Sequence, residues 1–226
     1  MERVAEPELM NGAEQACAYA SADFEEPHGR FVALLADRLP DLPSAGAALD
    51  LGCGPGDIAL RFACAWPGWR VEGIDGAAVM IELACNDARM RVLRGRVSFH
   101  LARLPADGPA GRDFDLVLSN SLLHHLAAPH DLWHAALRYA APGGALFVMD
   151  LLRPPSIAAA RALVARHAAD EPPVLQHDLY RSLLASYRVE EVEAQLAAVR
   201  LHGMAIEVVS DRHWIAHGRP FTAARP

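Results

Sequence analysis

The chain has 226 residues, 52% of them hydrophobic, and a formal net charge of −7, which is enough apolar material for the core of one α/β domain of ordinary size. Its 21 basic residues are all arginine, and this excludes both a Schiff-base lysine and a P-loop lysine, hence pyridoxal phosphate and Walker-type NTPase chemistry. The negative balance offers phosphate backbones no general attraction, and no arginine stripe is dense enough to do so locally, so nucleic acid is not the expected partner.

In chain order, Phe31, Leu34, Leu35 and Leu39 recur at helical spacing and predict an N-terminal helix. The apolar run at 47–51 predicts a buried strand. It stops at Gly52, Gly54 and Gly56, after which Ile58, Leu60, Phe62 and Ala63 fit the buried side of a helix. The joint is the expected ligand site, because a backbone without Cβ atoms can turn sharply and approach a bound molecule, with free N–H groups at the helix start aimed at it. A second strand, 70–75, ends in Asp75, and an acid there can accept both hydroxyls of a ribose. A dinucleotide fingerprint G-x-G-x-x-G needs a third glycine at position 57, where Asp57 stands; G-x-G-x-G fits instead. Further strands are predicted at 97–101, 115–119 and 145–150, and helices at Val79–Met90 and Asp131–Tyr139. Ile157–Ala169 and Val174–Ser186 read as two helical segments broken by Asp170-Glu-Pro-Pro173. Runs at 204–210 and 212–217 are joined by too few residues for a crossover helix and should pair antiparallel. The alternation implies a mostly parallel seven-stranded α/β sheet with helices on both faces.

Asp50, the glycine triplet and Asp75, in this order of strand, loop, helix and strand, resemble motif I and the second-strand acid of the class I S-adenosylmethionine-dependent methyltransferases. The likeness continues through Arg112-Asp-Phe-Asp-Leu-Val-Leu-Ser-Asn120, Ser121-Leu-Leu-His-His-Leu126 and Ala141-Pro-Gly-Gly144, which is similar to the turn before the family's fifth strand. The tail from Val189 resembles the family's last helix and closing hairpin. The resemblance implies a Rossmann-like fold and the cofactor S-adenosyl-L-methionine, leaving as S-adenosyl-L-homocysteine. It implies cofactor contacts from Asp50, Gly52, Cys53, Gly54 and Gly56, from Asp75, Gly76 and Met80, from His100 and Leu101, and from Asn120. His100 stands where the family often has an Asp for the adenine amino group.

The resemblance also implies one domain over 1–226, with an N-terminal helical cover over about 1–40 and a lid insertion over about 154–188. Together these would wall the acceptor pocket, with Tyr19, His28, His177 and Tyr180 facing the substrate. His124 and His125 are the candidate bases. The overall pattern is nearest to the small-molecule group that includes ubiquinone- and menaquinone-pathway methyltransferases. It implies methyl transfer to a small molecule by in-line displacement, with a non-catalytic S-adenosylmethionine-binding protein or a nicotinamide-dependent oxidoreductase as the alternatives. Asn120-Ser-Leu-Leu lacks the Asn-Pro-Pro-aromatic sequence of enzymes that methylate bases. No apolar run is long enough to cross a bilayer, Met1-Glu-Arg-Val-Ala-Glu6 lacks the order of a secretory signal, and Cys17, Cys53, Cys64 and Cys85 form no metal spacing, so a cytoplasmic protein without membrane or metal is expected.

Overall fold

The computed structural model describes residues 1–6, 19, 22, 24–87, 89–93, 95–105 and 113–221, the side chain of Arg91 aside. Much of the expected N-terminal cover, and Cys17 with it, lies outside the described residues.

Helix α1, Glu25–Arg38, precedes β1, Gly46–Leu51; α2, Asp57–Ala65; β2, Trp69–Asp75; α3, Ala78–Asn86; and α4, Met90–Leu93. Strands β3, Val97–Leu101, and β4, Phe114–Asn120, lead through a 3-10 turn at Leu123–His125 to α5, His130–Tyr139, and β5, Ala140–Leu151. Helices α6, Ile157–His167, α7, Pro173–Ala185, and α8, Val189–Ala198, come next, before β6, Met204–Val208, and β7, His213–Gly218. The sheet order is β3-β2-β1-β4-β5-β7-β6, parallel except for β7, which runs antiparallel to both neighbours. The seven-stranded Rossmann-like sheet with its closing hairpin is the expected one.

Period-two alternation sorts the side chains of the buried strands between two cores. Ala48, Leu116, Leu118 and Phe147 face a core with Phe31 and Leu35 of α1 and Phe62 of α2. Leu49, Val117, Leu146 and Val148 face another with Leu132 and Trp133 of α5 and Val192 and Leu196 of α8. The chain reverses its direction of growth between β1 and β4, and the crevice beyond their carboxyl ends is where open α/β sheets bind ligands.

Three boundaries depart from expectation. The helix predicted over Val79–Met90 divides because Asp87 Oδ1 accepts the amide of Arg89 at 2.7 Å, a turn that competes with the helix. β5 begins at Ala140 instead of 145, the Pro-Gly-Gly segment being absorbed as an irregularity in its pairing with β4, with Gly143 at φ 77°. β6 ends at Val208 because the amides of Val209 and Ser210 both turn to His213 O.

Trp133 is fully buried and its indole donates to Gln195 Oε1 at 3.0 Å, tying α5 to α8. Trp133→Ala should lower unfolding free energy by about 3–5 kcal/mol, since it opens a cavity and strands a buried amide; a loss of less than a third of that in a denaturant titration would show that the two helices are held elsewhere.

Candidate active site

A cavity of about 520 Å³ lies beyond the strand ends at the switch point. Its floor comes from the β1 loop, the ends of β2 and β4, and the 3-10 turn. Its walls come from α1, α6 and α7, with Arg212 and His213 at the start of β7.

The loop is fixed to β2 by three hydrogen bonds, and the same Asp75 carboxylate turns back on its own strand end. Gly52 and Cys53 amides donate to Ile74 O at 2.8 and 3.0 Å. Asp75 Oδ2 accepts the Gly54 amide at 2.9 Å and Oδ1 the Ala77 amide at 2.8 Å. Each Asp75 oxygen keeps a lone pair for a hydroxyl donor. Gly54 has φ +53°, which L side chains rarely adopt, and nothing lies within 4 Å of where a Cβ would stand, so the loop offers open backbone to the cavity. Gly56 does not line the cavity; it caps α2 at φ +86°, and a Cβ there would meet Phe99 at 2.6 Å. A Cβ at Gly73 would meet the same ring, at 2.6 Å.

Asp50 is buried under the loop, with Oδ2 unpartnered among the described residues. Burial, then the neighbouring Asp75 charge, pushes its carboxyl well above the ordinary range. An orphaned acid in a cavity wall asks for a cation, and the ammonium of an amino-acid moiety is one. Asn120, Gly76, Met80 and Cys53 also line the cavity, burial holding the Cys53 thiol neutral. These residues fit S-adenosylmethionine: an orphaned acid for its amino end, open glycine backbone, and a carboxylate for a ribose.

The opposite side holds a polar cluster. Asp150, at the end of β5, accepts the amides of Leu123 at 2.7 Å and Leu151 at 2.6 Å and is paired with His124 Nδ1. Both are buried. Burial alone would raise Asp150 and lower His124, but their contact reverses both, holding the carboxyl down and the imidazole up. Residues 1–6 lie against the end of α7: the Val4 amide donates to Leu184 O at 3.0 Å, and Arg3 donates to Ala185 O and His124 O. They deliver Glu6, whose Oε1 lies 3.5 Å from His124 Nε2, 3.2 Å from His125 Nδ1 and 3.0 Å from Ser182 Oγ.

Several expected contacts are corrected. His100 and Leu101 do not line the cavity: the pleat of β3 turns Phe99 inward and leaves His100 exposed against Ser98 and Glu72, Leu101 is 60% exposed at the strand's end, and Ala102, Arg103 and Leu104 stand at the wall instead. His177 and Tyr180 lie off the cavity, which α7 faces with Leu175, Asp178, Leu179 and Ser182 at helical spacing. Tyr19 lines it, but against Ala77 and Met80 beside Asp75, where burial pushes the phenol up to about 12. His28 also lines it, with Nδ1 held by Asp57 at 2.7 Å. Glu6 and Asp150 were not legible: a terminal carboxylate and an apolar-strand acid have no local pattern that sets them beside a histidine.

Comparison with known proteins follows the same outline. A family model described as a methyltransferase domain matches residues 48–144. A trans-aconitate 2-methyltransferase of Streptomyces coelicolor is 33% identical over 193 residues, which are 83% of this chain and 54% of the relative. A 27-O-demethylrifamycin SV methyltransferase of Amycolatopsis mediterranei is 31% identical, over 84% of this chain and 66% of the relative. The chain thus spans about half the length of the trans-aconitate relatives it matches. In fold it is similar to a plantazolicin methyltransferase in complex with a desmethylPZN analog and SAH, with TM-score 0.68, 14% identity and coverage of 91% and 90% of the two chains. A SAM-dependent methyltransferase from Aquifex aeolicus gives TM-score 0.65 at 16% identity, over 90% and 97%.

Two measurements test the cofactor half. Asp75→Ala should weaken S-adenosylhomocysteine by about 1.5–3 kcal/mol in a folded protein, the scale of a charged acceptor lost; an unchanged dissociation constant would remove the ribose assignment. An ammonium at Asp50 favours the ionised carboxylate, so binding should expel a proton, and affinity should rise as pH passes upward through the raised pKa. Calorimetry in buffers of different ionisation enthalpy should show that release in the native chain and not in Asp50→Asn.

Proposed function

Since the chain belongs to the class I S-adenosylmethionine-dependent methyltransferases, we propose that it transfers a methyl group from that cofactor to a small-molecule hydroxyl seated near His124 and His125. The observation that carries this is the polarity of one cavity: an orphaned acid and a ribose-ready carboxylate on one side, and two imidazoles, His124 oriented by a buried acid, on the other.

Asp75 receives the ribose hydroxyls, Asp50 and Asn120 orient the amino end, and the glycine loop admits the methionine part. The cofactor supplies an electrophilic methyl on a cationic sulfur. This chain's residues hold the acceptor in line and exclude water, worth roughly 7–11 kcal/mol, against roughly 3–5 kcal/mol for a general base. Asp150 fixes His124 through Nδ1, so that Nε2, once free of its proton, can take the acceptor's. Helices α6 and α7 serve as the lid over the acceptor, and residues 1–6 as its strap.

Acceptor charge is narrowed by the walls. Arg166 is held by Asp211 at 2.9 Å, and Arg212 lies on His167 at 2.7 Å and 3.5 Å from Asp211. Glu6, Glu171 and Asp178 add negative charge at or beside this wall. A tricarboxylate would meet that excess, so a neutral acceptor fits better, and the oxygen in the name of the demethylrifamycin relative agrees with a hydroxyl. We place the reaction in the cytoplasm, without nucleic acid or membrane as partner: no described helix is long and apolar enough to cross a bilayer, and Cys53, Cys64 and Cys85 are free thiols.

A panel of neutral phenols and alcohols, assayed by S-adenosylhomocysteine release, should yield turnover where trans-aconitate yields none. On the best acceptor, His124→Gln should cost about two to four decades in kcat while leaving S-adenosylhomocysteine affinity unchanged. Full turnover in that variant would move the proton-accepting role away from His124.

A further inference from the structure

We propose that Glu6, His124 and His125 form a binding site for one divalent transition-metal ion of the zinc type, in the acceptor wall. The inference rests on the acceptor side proposed above and changes one role in it: with the ion bound, His124 Nε2 is its ligand, and the ion, in place of a free imidazole base, eases loss of the acceptor's proton.

The donor atoms gather around a point. Glu6 Oε1, His124 Nε2 and His125 Nδ1 all lie within 4.8 Å of one another, with separations of 3.5 and 3.2 Å from the carboxylate oxygen to the two nitrogens. Tetrahedral ligands at 2.0–2.1 Å from an ion stand about 3.3–3.4 Å apart, so these two spacings match a shared ion. Two imidazoles and one carboxylate suit zinc and its neighbours, and leave a fourth position for water or substrate.

The surroundings of two of the ligands, His124 and Glu6, support the reading. His124 uses Nδ1 on Asp150, and that leaves the Nε2 lone pair directed at the shared point; an imidazole backed by a carboxylate is the usual outer support of a metal ligand. Asp150 is itself fixed by the Leu123 and Leu151 amides. Ser182 Oγ donates to Glu6 Oε1, orienting the third ligand. Arg3, the nearest cation of the same segment, is turned instead to the Ala185 and His124 carbonyls and the Tyr187 ring, so it does not fill the place of the ion. His124, His125 and Ser182 all line the cavity, which puts the fourth position within reach of a ligand.

An acceptor hydroxyl bound there loses its proton more readily, because the ion stabilises the oxyanion. The proton leaves to water, the oxygen pair attacks the methyl carbon, the carbon–sulfur bond breaks with its pair on sulfur, and the products are the methyl ether and S-adenosylhomocysteine.

The test uses the full chain, stripped with chelator and titrated with Co²⁺ alone, read by its visible ligand-field bands and by metal analysis after desalting. One equivalent should bind. Glu6→Gln and His125→Gln should each weaken it at least tenfold, and Asp150→Asn about 10- to 100-fold through the lost outer support, while His134→Gln changes nothing. S-adenosylhomocysteine affinity, measured on every variant, should stay native and certifies the fold; a variant that loses it is replaced by Glu6→Ala or His125→Ala, read in the same way. No stoichiometric Co²⁺ in protein that binds S-adenosylhomocysteine, or uptake indifferent to both ligand substitutions, overturns the metal site. Methyl transfer persisting in chelator-stripped, metal-free protein would also overturn it while sparing the transferase reading, whereas failure to bind S-adenosylhomocysteine would strike the transferase reading alone.

Discussion

The carboxylate of Asp75 is the constraint on which the cofactor side depends. It accepts two amides, Gly54 on the β1 loop and Ala77 before α3, and so joins the β1 loop to the turn that leads out of β2. Because the same loop is pinned through Ile74 O, its open glycine conformation is set before any ligand arrives. Such preorganisation lowers the ordering cost of binding. It also means that an acid at this position shapes the loop as well as receiving a ligand.

Two further acids, at or near the carboxyl ends of β1 and β5, share burial and diverge in charge state. Asp150 has two amides and an imidazole, so the ionised form is well served. Asp50 has one oxygen without a partner and Asp75 nearby, so ionisation is penalised. The difference is a division of labour. A carboxylate satisfied by the protein positions other groups, while one left unsatisfied is a receptor for a cation from outside.

What could be read in advance follows the range of the interactions. Strand order, the closing hairpin and the β1 loop rest on local periodicity and on glycine at fixed spacing, and these survive in the sequence almost unchanged. His100 was misplaced because pleat phase decides which residue of β3 looks inward, and Phe99 took that place to fill the space beside Gly56 and Gly73, while Leu101 shares the phase of Phe99 and is exposed only because β3 ends there. His177 and Tyr180 were misplaced for the same reason on a helix, where a shift of one or two residues changes the face presented. Glu6 and Asp150 could not be found at all, since 144 positions separate them in the chain and only tertiary packing brings both to His124.

Phe99 occupies a volume that three residues must share. Its ring would lie 2.6 Å from a Cβ at position 56 and 2.6 Å from one at position 73, so one aromatic crowds two backbone segments, the cap of α2 and strand β2. Positions 73 and 99 therefore behave as one unit under mutation, while position 56, at φ +86°, is held to glycine by its backbone as well. Among related chains, a side chain gained at position 73 should arrive together with a smaller residue in place of the phenylalanine, even though neither needs to touch the cofactor.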